Sequence, residues 1–155
     1  MEVFQMDELS VIEYISQTFP EVESTVAYGY TMFFYRSDRI VSFATIISSD
    51  YDYDHVSNLA RPGVYRLNIG VSRQTFESLF GSTKVDVNNY DFTALDVIMP
   101  HPDYAGQHYI CVLSPSDETF ETKIRPLLAE AYELAARKFN RRKKTNESSN
   151  SPAAS

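Results

Sequence analysis

A histidine enclosed by two prolines is the residue of this chain whose type and setting best suit chemistry. The segment Met99-Pro-His-Pro102 restricts the backbone on both sides of His101, and a fixed backbone could aim the imidazole ring. Imidazole takes up or releases a proton near neutral pH, and Asp96 or Asp103 could complete an acid/base pair. Alternatively, the ring hydrogen-bonds a backbone group and stabilises the corner. The sequence leaves open whether His101 faces a ligand or is structural.

Three alternate aspartates, Asp50, Asp52 and Asp54, have the spacing of the first ligands of a calcium loop. Such a loop needs glycine at its sixth position and a bidentate glutamate at its twelfth. This chain has His55 and Arg61 at those positions. Because an arginine at the twelfth position would repel the ion, the sequence predicts a solvated acidic loop and no metal site.

Cys111 is the single cysteine and therefore the only candidate thiol nucleophile. Residues two positions apart on a strand share a face, so Cys111 lies with Tyr109 and Leu113, whereas His108 points to the other side. A histidine on the other face is poorly placed to activate the thiol, so Cys111 is predicted to pack in the core. The chain also has no phosphate-binding loop, dinucleotide fingerprint or G-x-S-x-G motif. We therefore predict no cofactor and assign no catalytic residue.

Aromatic side chains are abundant, with 11 tyrosines and 10 phenylalanines, and several lie near arginines on predicted strands and turns. An apolar pocket bordered by aromatic rings and a cationic pair would suit a small anionic ligand. Alternatively, the tyrosines cover a half-buried sheet face, which could form a homodimer if it is left open. The residues predicted to bind a ligand are His101, Arg61, Arg66, Tyr28 and Tyr104, and Tyr30, Phe34, Tyr65 and Asn68 could border the same pocket.

Hydrophobic periodicity predicts helices at both ends of the chain with strands between them. Ser72 and Gly81 are of the types expected at the start and the end of a short helix. The other elements expected in the first two thirds of the chain are a helix at 7–18, strands at 22–28, 31–36, 40–47 and 64–70, and an apolar segment at 94–99.

The last third is predicted to hold a strand at 108–113 and a long helix. Ser114-Pro-Ser-Asp117 is expected to start this helix with Ser114 as its N-cap, and Pro126 must either kink or divide it. Strands joined by hairpins form a mostly antiparallel sheet, and helices packed on one face of it give an α+β two-layer sandwich. The expected order is α-β-β-β-β-α-β-β-α.

Charge is distributed unevenly along the chain. The net charge is −7, yet six of the 14 basic residues lie between positions 137 and 144. We predict one domain over 1–140 and a basic, then low-complexity and disordered, tail over 141–155. The acidic body disfavours nucleic acid as a partner, so the basic run is predicted to be a solvated helix end.

Neither a signal peptide nor a run of about 18 apolar residues, as a membrane span needs, is visible in the sequence. The single cysteine excludes an intramolecular disulfide. These features favour a cytoplasmic protein that does not associate with membranes.

Four segments resemble the bacterial domain-of-unknown-function family 6194: RPGVYRLNIGVS at 61–72, DFTALD at 91–96, MPHP at 99–102 and RPLLAEAYELA at 125–135. The resemblance extends over about residues 7–140. It implies the fold and provides no catalytic residues.

A looser similarity connects the chain to MmcQ/YjbR-like proteins, through FPEVE at 19–23, LNIG at 67–70, HYIC at 108–111 and AYELA at 131–135. Some of those proteins are described as having a double-wing DNA-binding-like fold. In this chain Tyr109 replaces a tryptophan of that pattern and Ile69 replaces a lysine.

These observations predict a non-enzymatic domain that binds a small ligand or a protein partner through its open sheet face and the corner at His101. Two alternatives stay open. One is an enzyme that uses His101 with Asp96 or Asp103, and the other is nucleic-acid binding through the basic run.

Overall fold

The structure, a computed structural model, describes residues 5–150, with side chains up to residue 146. The order of elements in this part of the chain agrees with the predicted α-β-β-β-β-α-β-β-α order. The elements are α1 (Glu8–Thr18), β1 (Val22–Ala27), β2 (Tyr30–Tyr35), β3 (Ala44–Ile47), β4 (Arg66–Gly70), α2 (Arg73–Phe80), β5 (Met99–Pro100), β6 (Tyr109–Leu113), α3 (Asp117–Thr119) and α4 (Arg125–Asn150).

The strands form one antiparallel sheet in the order β1-β2-β3-β4-β6-β5. Successive side chains of a strand point to opposite faces, so each strand contributes to both. The helices pack on one face, which we call the helix face, and we call the other the open face. Met32 pairs with Thr45, Thr45 with Asn68 and Asn68 with Cys111, so these four residues form one row on the open face.

The hydrophobic core lies between the helices and the helix face. Its side chains come from every long helix and from the four central strands, as the 3.6-residue and two-residue periodicities require. Fully burying one large apolar side chain contributes ~1.5–3 kcal/mol, so this layer is the main source of stability. Its most deeply buried members include Val11, Ile15, Phe33, Ile46, Leu67, Ile69, Phe76, Ile110, Val112, Phe120, Ile124 and Leu128.

Local capping residues determine where the first two helices begin and end. The Asp7 side chain accepts a hydrogen bond from the Ser10 amide at 2.8 Å and caps α1. Ser72 does the same for α2 through the Thr75 amide at 3.1 Å. Gly81 ends α2 in the left-handed region at a φ of 79°, where glycine has no Cβ to strain. Both predicted caps of α2 are confirmed.

The last helix begins two residues later than the sequence predicts. Its N-cap is Ser116, whose Oγ accepts from the Thr119 amide at 3.1 Å. Ser114 has a φ of 39° and bonds to the residue before β4 instead: its amide donates to the Tyr65 carbonyl at 3.0 Å and its Oγ accepts from the Tyr65 amide at 3.2 Å. This long-range pairing overrides the local capping preference of Ser114.

Pro126 does not divide the last helix. A π-helical turn, Phe120–Ile124, joins α3 to α4, and Pro126 follows it directly. Proline has no N–H and its ring crowds the carbonyl four residues before it. The wider π turn, in which the Arg125 amide bonds the Phe120 carbonyl, accommodates the proline without ending the helix.

Most strands differ from the predicted ranges at one or both ends, and two of these differences have a local cause. Tyr28 and Gly29, with φ of 55° and 81°, form the two-residue turn between β1 and β2, one residue earlier than expected. The third strand covers only Ala44–Ile47 of the predicted 40–47. The buried Asp38 carboxylate accepts a hydrogen bond from the Ile40 amide at 2.9 Å. This bond holds the residues before β3 in a loop.

The helix α4 continues past the expected end at residue 140 to Asn150 and contains the basic run. Residues 141–150 of the predicted basic and disordered tail over 141–155 are therefore helical, and the remaining positions, 151–155, lie outside the described part of the chain. Within that part, none of the helices has the length and apolar character that crossing a bilayer requires.

Candidate functional site

A cavity of about 550 Å³ lies on the open face of the sheet. Met32 and Phe34 of β2, Thr45 of β3 and Asn68 of β4 form its floor, since alternate residues of these strands point away from the helices. Its walls come from three connecting segments: the β1–β2 turn with the loop at 51–54, the loop at 39–42, and the corner at 101–104. The site is therefore a groove on rigid strands that is enclosed by loops.

Tyrosines dominate the wall at the β1–β2 turn. Tyr28 is 82% exposed, and its carbonyl accepts a hydrogen bond of 2.5 Å from the Tyr53 hydroxyl. Tyr51 stacks on Tyr53 with 5.3 Å between ring centroids. A Cβ at Gly29 would lie 2.3 Å from the Tyr51 ring, so glycine is required there for space as well as for its positive φ. These contacts pin the loop at 51–54 to the turn.

The loop at 39–42 forms the opposite lip. Ile40 and Val41 line the cavity and are largely exposed. Asp38 anchors this loop by accepting from the Ile40 amide and from the Arg142 guanidinium of α4. Burial by itself would raise the pKa of Asp38, but the hydrogen bonds from Arg142 and Ile40 outweigh it, and the pKa is lowered. The end of the last helix thus holds the lip of the cavity in place.

A buried ion pair lies beside the cavity floor, on the same face of the sheet. Arg66 is 0% exposed and donates to both carboxylate oxygens of Asp54, with Nη1 to Oδ1 at 3.0 Å and Nη2 to Oδ2 at 2.5 Å. The Tyr30 hydroxyl donates to the same Oδ2 at 2.5 Å. Burial alone would raise the pKa of Asp54, but the bonds from Arg66 and Tyr30 lower it overall, so the pair is charged and internally neutralised.

The same arginine orients the polar groups of the floor. Its Nε donates to Asn68 Oδ1 at 2.9 Å, and the Nδ2 of Asn68 donates to Thr45 Oγ1 at 3.0 Å. Since a guanidinium can only donate, the Asn68 oxygen must face Arg66 and its nitrogen must face Thr45. The floor of the cavity therefore has one defined hydrogen-bond polarity.

His101 lies beside this floor and is 3% exposed. Its Nδ1 accepts from the backbone amides of Asp103 and Tyr104, both at 3.0 Å. Burial, assisted by the nearby Arg66 charge, lowers the pKa of His101 to about 3. The ring is therefore neutral at pH 7, and because Nδ1 is an acceptor, the proton resides on Nε2. His101 both stabilises the corner and borders the cavity.

Tyr109 and Cys111 follow each other on the open side of β6. Tyr109 lines the cavity, lies against Gly70, and donates from its hydroxyl to the Ser42 carbonyl at 2.6 Å, while burial raises its pKa to about 12. Cys111, the last member of the row, is buried, and burial raises the pKa of its thiol to about 12. A thiol that stays protonated is a poor nucleophile, which agrees with the predicted packing role.

The structure brings together three of the five residues predicted to bind a ligand. Tyr28, His101 and Tyr104 line the cavity. Arg66 is buried beside the floor and reaches the cavity only through Asn68. Arg61 lies apart and donates to the backbone carbonyls of residues 57, 58 and 93, so it holds two loops together.

Other members of the expected pocket also separate. Tyr65 belongs to the helix-side core, and its hydroxyl donates to the Met6 carbonyl at 2.5 Å. The Asp96 carboxylate accepts from the Ser116 amide at 2.8 Å, so it serves the start of the last helix and not His101. Asp103 lines the cavity, but its bond to the ring comes from its backbone amide. The proposed imidazole–carboxylate pair is not formed.

The acidic loop is not uniformly solvated, which corrects the prediction for Asp54. Asp52 is exposed, but Asp54 is buried against Arg66. Asp50 accepts from the Leu59 amide at 2.9 Å. Among the described side chains, no three His, Cys, Asp or Glu residues come together in a way that could hold a metal ion.

Sequence reasoning missed Thr45, Met32 and Tyr53 as cavity residues and missed Asp54 as the partner of Arg66. Strand alternation carries a signal for the first two, since Met32 lies two residues from Tyr30 on the same face. A partner for Arg66 was also inferable, because a buried arginine needs an acid, but nothing local selects Asp54 from the other aspartates.

Comparisons with known proteins agree with this architecture. The chain matches the model of a family of unknown function, DUF6194, over residues 6–144, and it therefore belongs to that family. Its fold is similar to that in a crystal structure of a protein from Pseudomonas syringae solved by a structural genomics consortium, with a TM-score of 0.55 and 17% identity. That similarity covers 84% of this chain and 99% of the other. No curated protein matches the sequence.

Proposed function

We propose that this family member binds a small, uncharged and mostly apolar molecule in the cavity of the open face and does not transform it. The observation that carries the proposal is the cavity itself. Its volume of about 550 Å³ falls within the ~300–1,000 Å³ typical of ligand sites. Tyrosine, methionine and phenylalanine side chains enclose it, and a few oriented polar groups lie at its floor, which is the usual composition of such sites.

The charge of the site favours a neutral ligand over the anion considered first. Arg66 is fully buried and its charge is satisfied by Asp54. Arg39, at the rim, lies over the Phe34 ring at 5.0 Å and pairs with Glu23 at 3.4 Å. An anion would also meet the field of a chain with a net charge of −7.

The state of His101 favours binding over acid/base catalysis. A general base needs a free lone pair, yet Nδ1 already accepts two amides and Nε2 carries the proton. A pKa of about 3 leaves the ring with almost no tendency to take up a proton at pH 7. We therefore place His101 in the site as a hydrogen-bond donor and keep the His-dependent enzyme as the weaker alternative.

The same face could instead bind a macromolecule. A protein partner or a second copy of the chain would then contact the exposed rim of the cavity. Nucleic-acid binding through the basic run and the specific kinship with MmcQ/YjbR-like proteins stay predictions. Arg142 of that run forms an ion pair with Asp38, which reduces the positive charge that the run has available for phosphates. A cytoplasmic location also stays a prediction.

A screen of common metabolites by thermal shift and native mass spectrometry tests the proposal. Ala27→Trp should fill the cavity, because Ala27 lines it, whereas Val26→Trp places the same ring on the exposed side of the edge strand. A ligand present at 100 times its dissociation constant should stabilise the wild type by about 2.7 kcal/mol. This corresponds to an increase in Tm of roughly 5–10 °C.

The expected result is a ligand that shifts the wild type and Val26→Trp equally but not Ala27→Trp. A ligand that also shifts Ala27→Trp by the same amount binds elsewhere, and the cavity is then not the site. A screen without any hit, in a library that includes neutral aromatic compounds, would contradict the proposed function.

A further inference from the structure

We propose that the polar groups at and beside the cavity floor, Asn68, Thr45 and His101, present mainly hydrogen-bond donors and therefore select ligands that carry a carbonyl-type oxygen on a flat apolar body. This inference rests on the proposed function, because it names the ligand class of the same site. It is carried by a chain of oriented side chains that runs from the buried ion pair to the cavity surface.

The polarity begins at Arg66. Both Nη groups are used by Asp54, and Nη1 also donates to Ser57 Oγ at 3.0 Å, so Nε is directed to Asn68. Because a guanidinium has no acceptor, Asn68 must give it its oxygen. The side-chain oxygen of Asn68 is thus already bonded to Arg66, and its NH₂ group is left on the cavity side.

The orientation of Asn68 in turn fixes the role of Thr45. One N–H of Asn68 donates to Thr45 Oγ1 at 3.0 Å, and the second N–H of the same amide does not take part in that bond. The threonine oxygen is an acceptor toward Asn68, so its own O–H is available in another direction. Both residues line the cavity, and each can direct one hydrogen toward a ligand.

The third donor comes from the other side of the cavity. The Nδ1 of His101 is occupied by the amides of Asp103 and Tyr104, so the neutral ring exposes an N–H at Nε2. Asn68, Thr45 and His101 together offer three donors, against one remaining lone pair on Thr45 Oγ1, and this balance favours a carbonyl oxygen as the ligand group. An ammonium or hydroxyl donor meets other donors at Asn68, Thr45 and His101, and the carboxylate of the lining, Asp103, belongs to the corner wall and not to this group.

The walls define the remainder of the ligand. Tyr28, Tyr53 and Tyr104 rise on one side, and Met32 and Phe34 form the apolar part of the floor. Flat rings pack well against tyrosine and methionine side chains. An uncharged aromatic ketone, amide or lactam is thus the class that satisfies both the walls and the donors.

Matched fragments test this inference by NMR titration of the ¹⁵N-labelled full chain. Acetophenone has the ketone oxygen, ethylbenzene has nearly the same shape without it, and benzylamine has an ammonium group. Dissociation constants fitted to the titration curves of the cavity signals should be about tenfold lower for acetophenone than for ethylbenzene, as expected for one to two net hydrogen bonds. Benzylamine should leave these signals unchanged.

Two variants remove one donor each. In His101→Asn, the side-chain oxygen can still accept from the amides two and three residues on, so the corner keeps its cap while the Nε2 donor is lost. Thr45→Val removes the hydroxyl, and Thr31→Val is its control, since Thr31 points to the helix face of the neighbouring strand. Each donor variant should lose about threefold to tenfold in affinity for acetophenone alone.

The outcomes separate the two proposals. Equal affinity for acetophenone and ethylbenzene in the wild type would overturn the donor inference and leave the apolar binding site intact. Tighter binding of benzylamine would also overturn the inference. If none of the three fragments shifts any cavity signal at its solubility limit, both the inference and the proposed function fail.

Discussion

The two faces of the sheet are built from the same strands, yet different interactions stabilise them. On β2, Phe33 points to the helix face and is completely buried among apolar side chains, whereas Met32 beside it points into the cavity. On β4, Leu67 and Ile69 pack under the helices, whereas Arg66 and Asn68, which alternate with them, belong to a polar network. Apolar packing stabilises one face, and oriented hydrogen bonds define the other.

The largest expected difference between the faces is in core packing. Phe33→Ala should lower the free energy of unfolding by about 3–5 kcal/mol, because it leaves a void in a filled layer. Met32→Ala should cost about 1 kcal/mol, because its side chain already borders open space. Urea denaturation measures both values. Equal losses would show that the open face is packed as tightly as the helix face.

The buried ion pair gives the next largest effect. Asp54→Ala leaves the Arg66 charge buried without its carboxylate and should cost about 3 kcal/mol. Glu23→Ala is the matched control, since it breaks the exposed pair with Arg39, and it should cost less than about 1 kcal/mol. If both substitutions have the same small effect, the network beside the floor does not hold the open face together.

The helix face was largely predictable because its signals are local. Ser72 and Gly81 flank an amphipathic run and do cap α2, and the apolar periodicity of the last helix is continuous past Pro126. Capping and periodicity act within a few residues, so one sequence is enough to place them.

The open face was predicted less well because its contacts join distant parts of the chain. Asp54 and Arg66 are 12 residues apart, and Asp38 and Arg142 are 104 apart. The aromatic residues and His101 were expected near one pocket, and Tyr28, Tyr104 and His101 do line one cavity. Arg66 is buried in an ion pair, whereas Arg61 joins two loops through backbone carbonyls. Which arginine takes which role depends on tertiary neighbours that no local sequence pattern encodes.

The protonation of His101, on the open face, should make the folding stability depend on pH. The unfolded histidine binds a proton below about pH 6.5, whereas the folded one does so only near its pKa of about 3. Between these values the unfolded state binds more protons, so stability is full above pH 6.5 and falls as the pH is lowered. The slope should be at most about 1.4 kcal/mol per pH unit.

The matched variant for this prediction is His101→Asn, which should remove the slope between pH 6.5 and about 4.5 in urea unfolding. Asp38 and Asp54, whose pKa values are lowered, lose their stabilising charge only at lower pH and do not obscure this window. An unchanged slope in the variant would mean that the folded His101 titrates normally.

The smallest expected effect concerns the lip of the cavity. Arg142→Ala should change stability by less than about 1 kcal/mol, because the arginine is partly exposed. It should weaken acetophenone binding by about threefold, because the loop at 39–42 loses its tie to α4. Arg141→Ala, at the adjacent exposed position, is the control for the charge change. The same loss in both variants would indicate a general electrostatic effect and no role for the lip.

The most direct measurement is the shift of methionine methyl signals in protein labelled with ¹³C at the methionine methyl groups, as acetophenone is added. Met32 lines the cavity, Met99 is buried beside Cys111 on the edge strand β5, and Met6 packs against the helix-side core. We expect the Met32 signal to shift in a saturable way while the signals of Met6 and Met99 stay nearly constant. No shift at Met32, or equal shifts at all three residues, would contradict a ligand site on the open face.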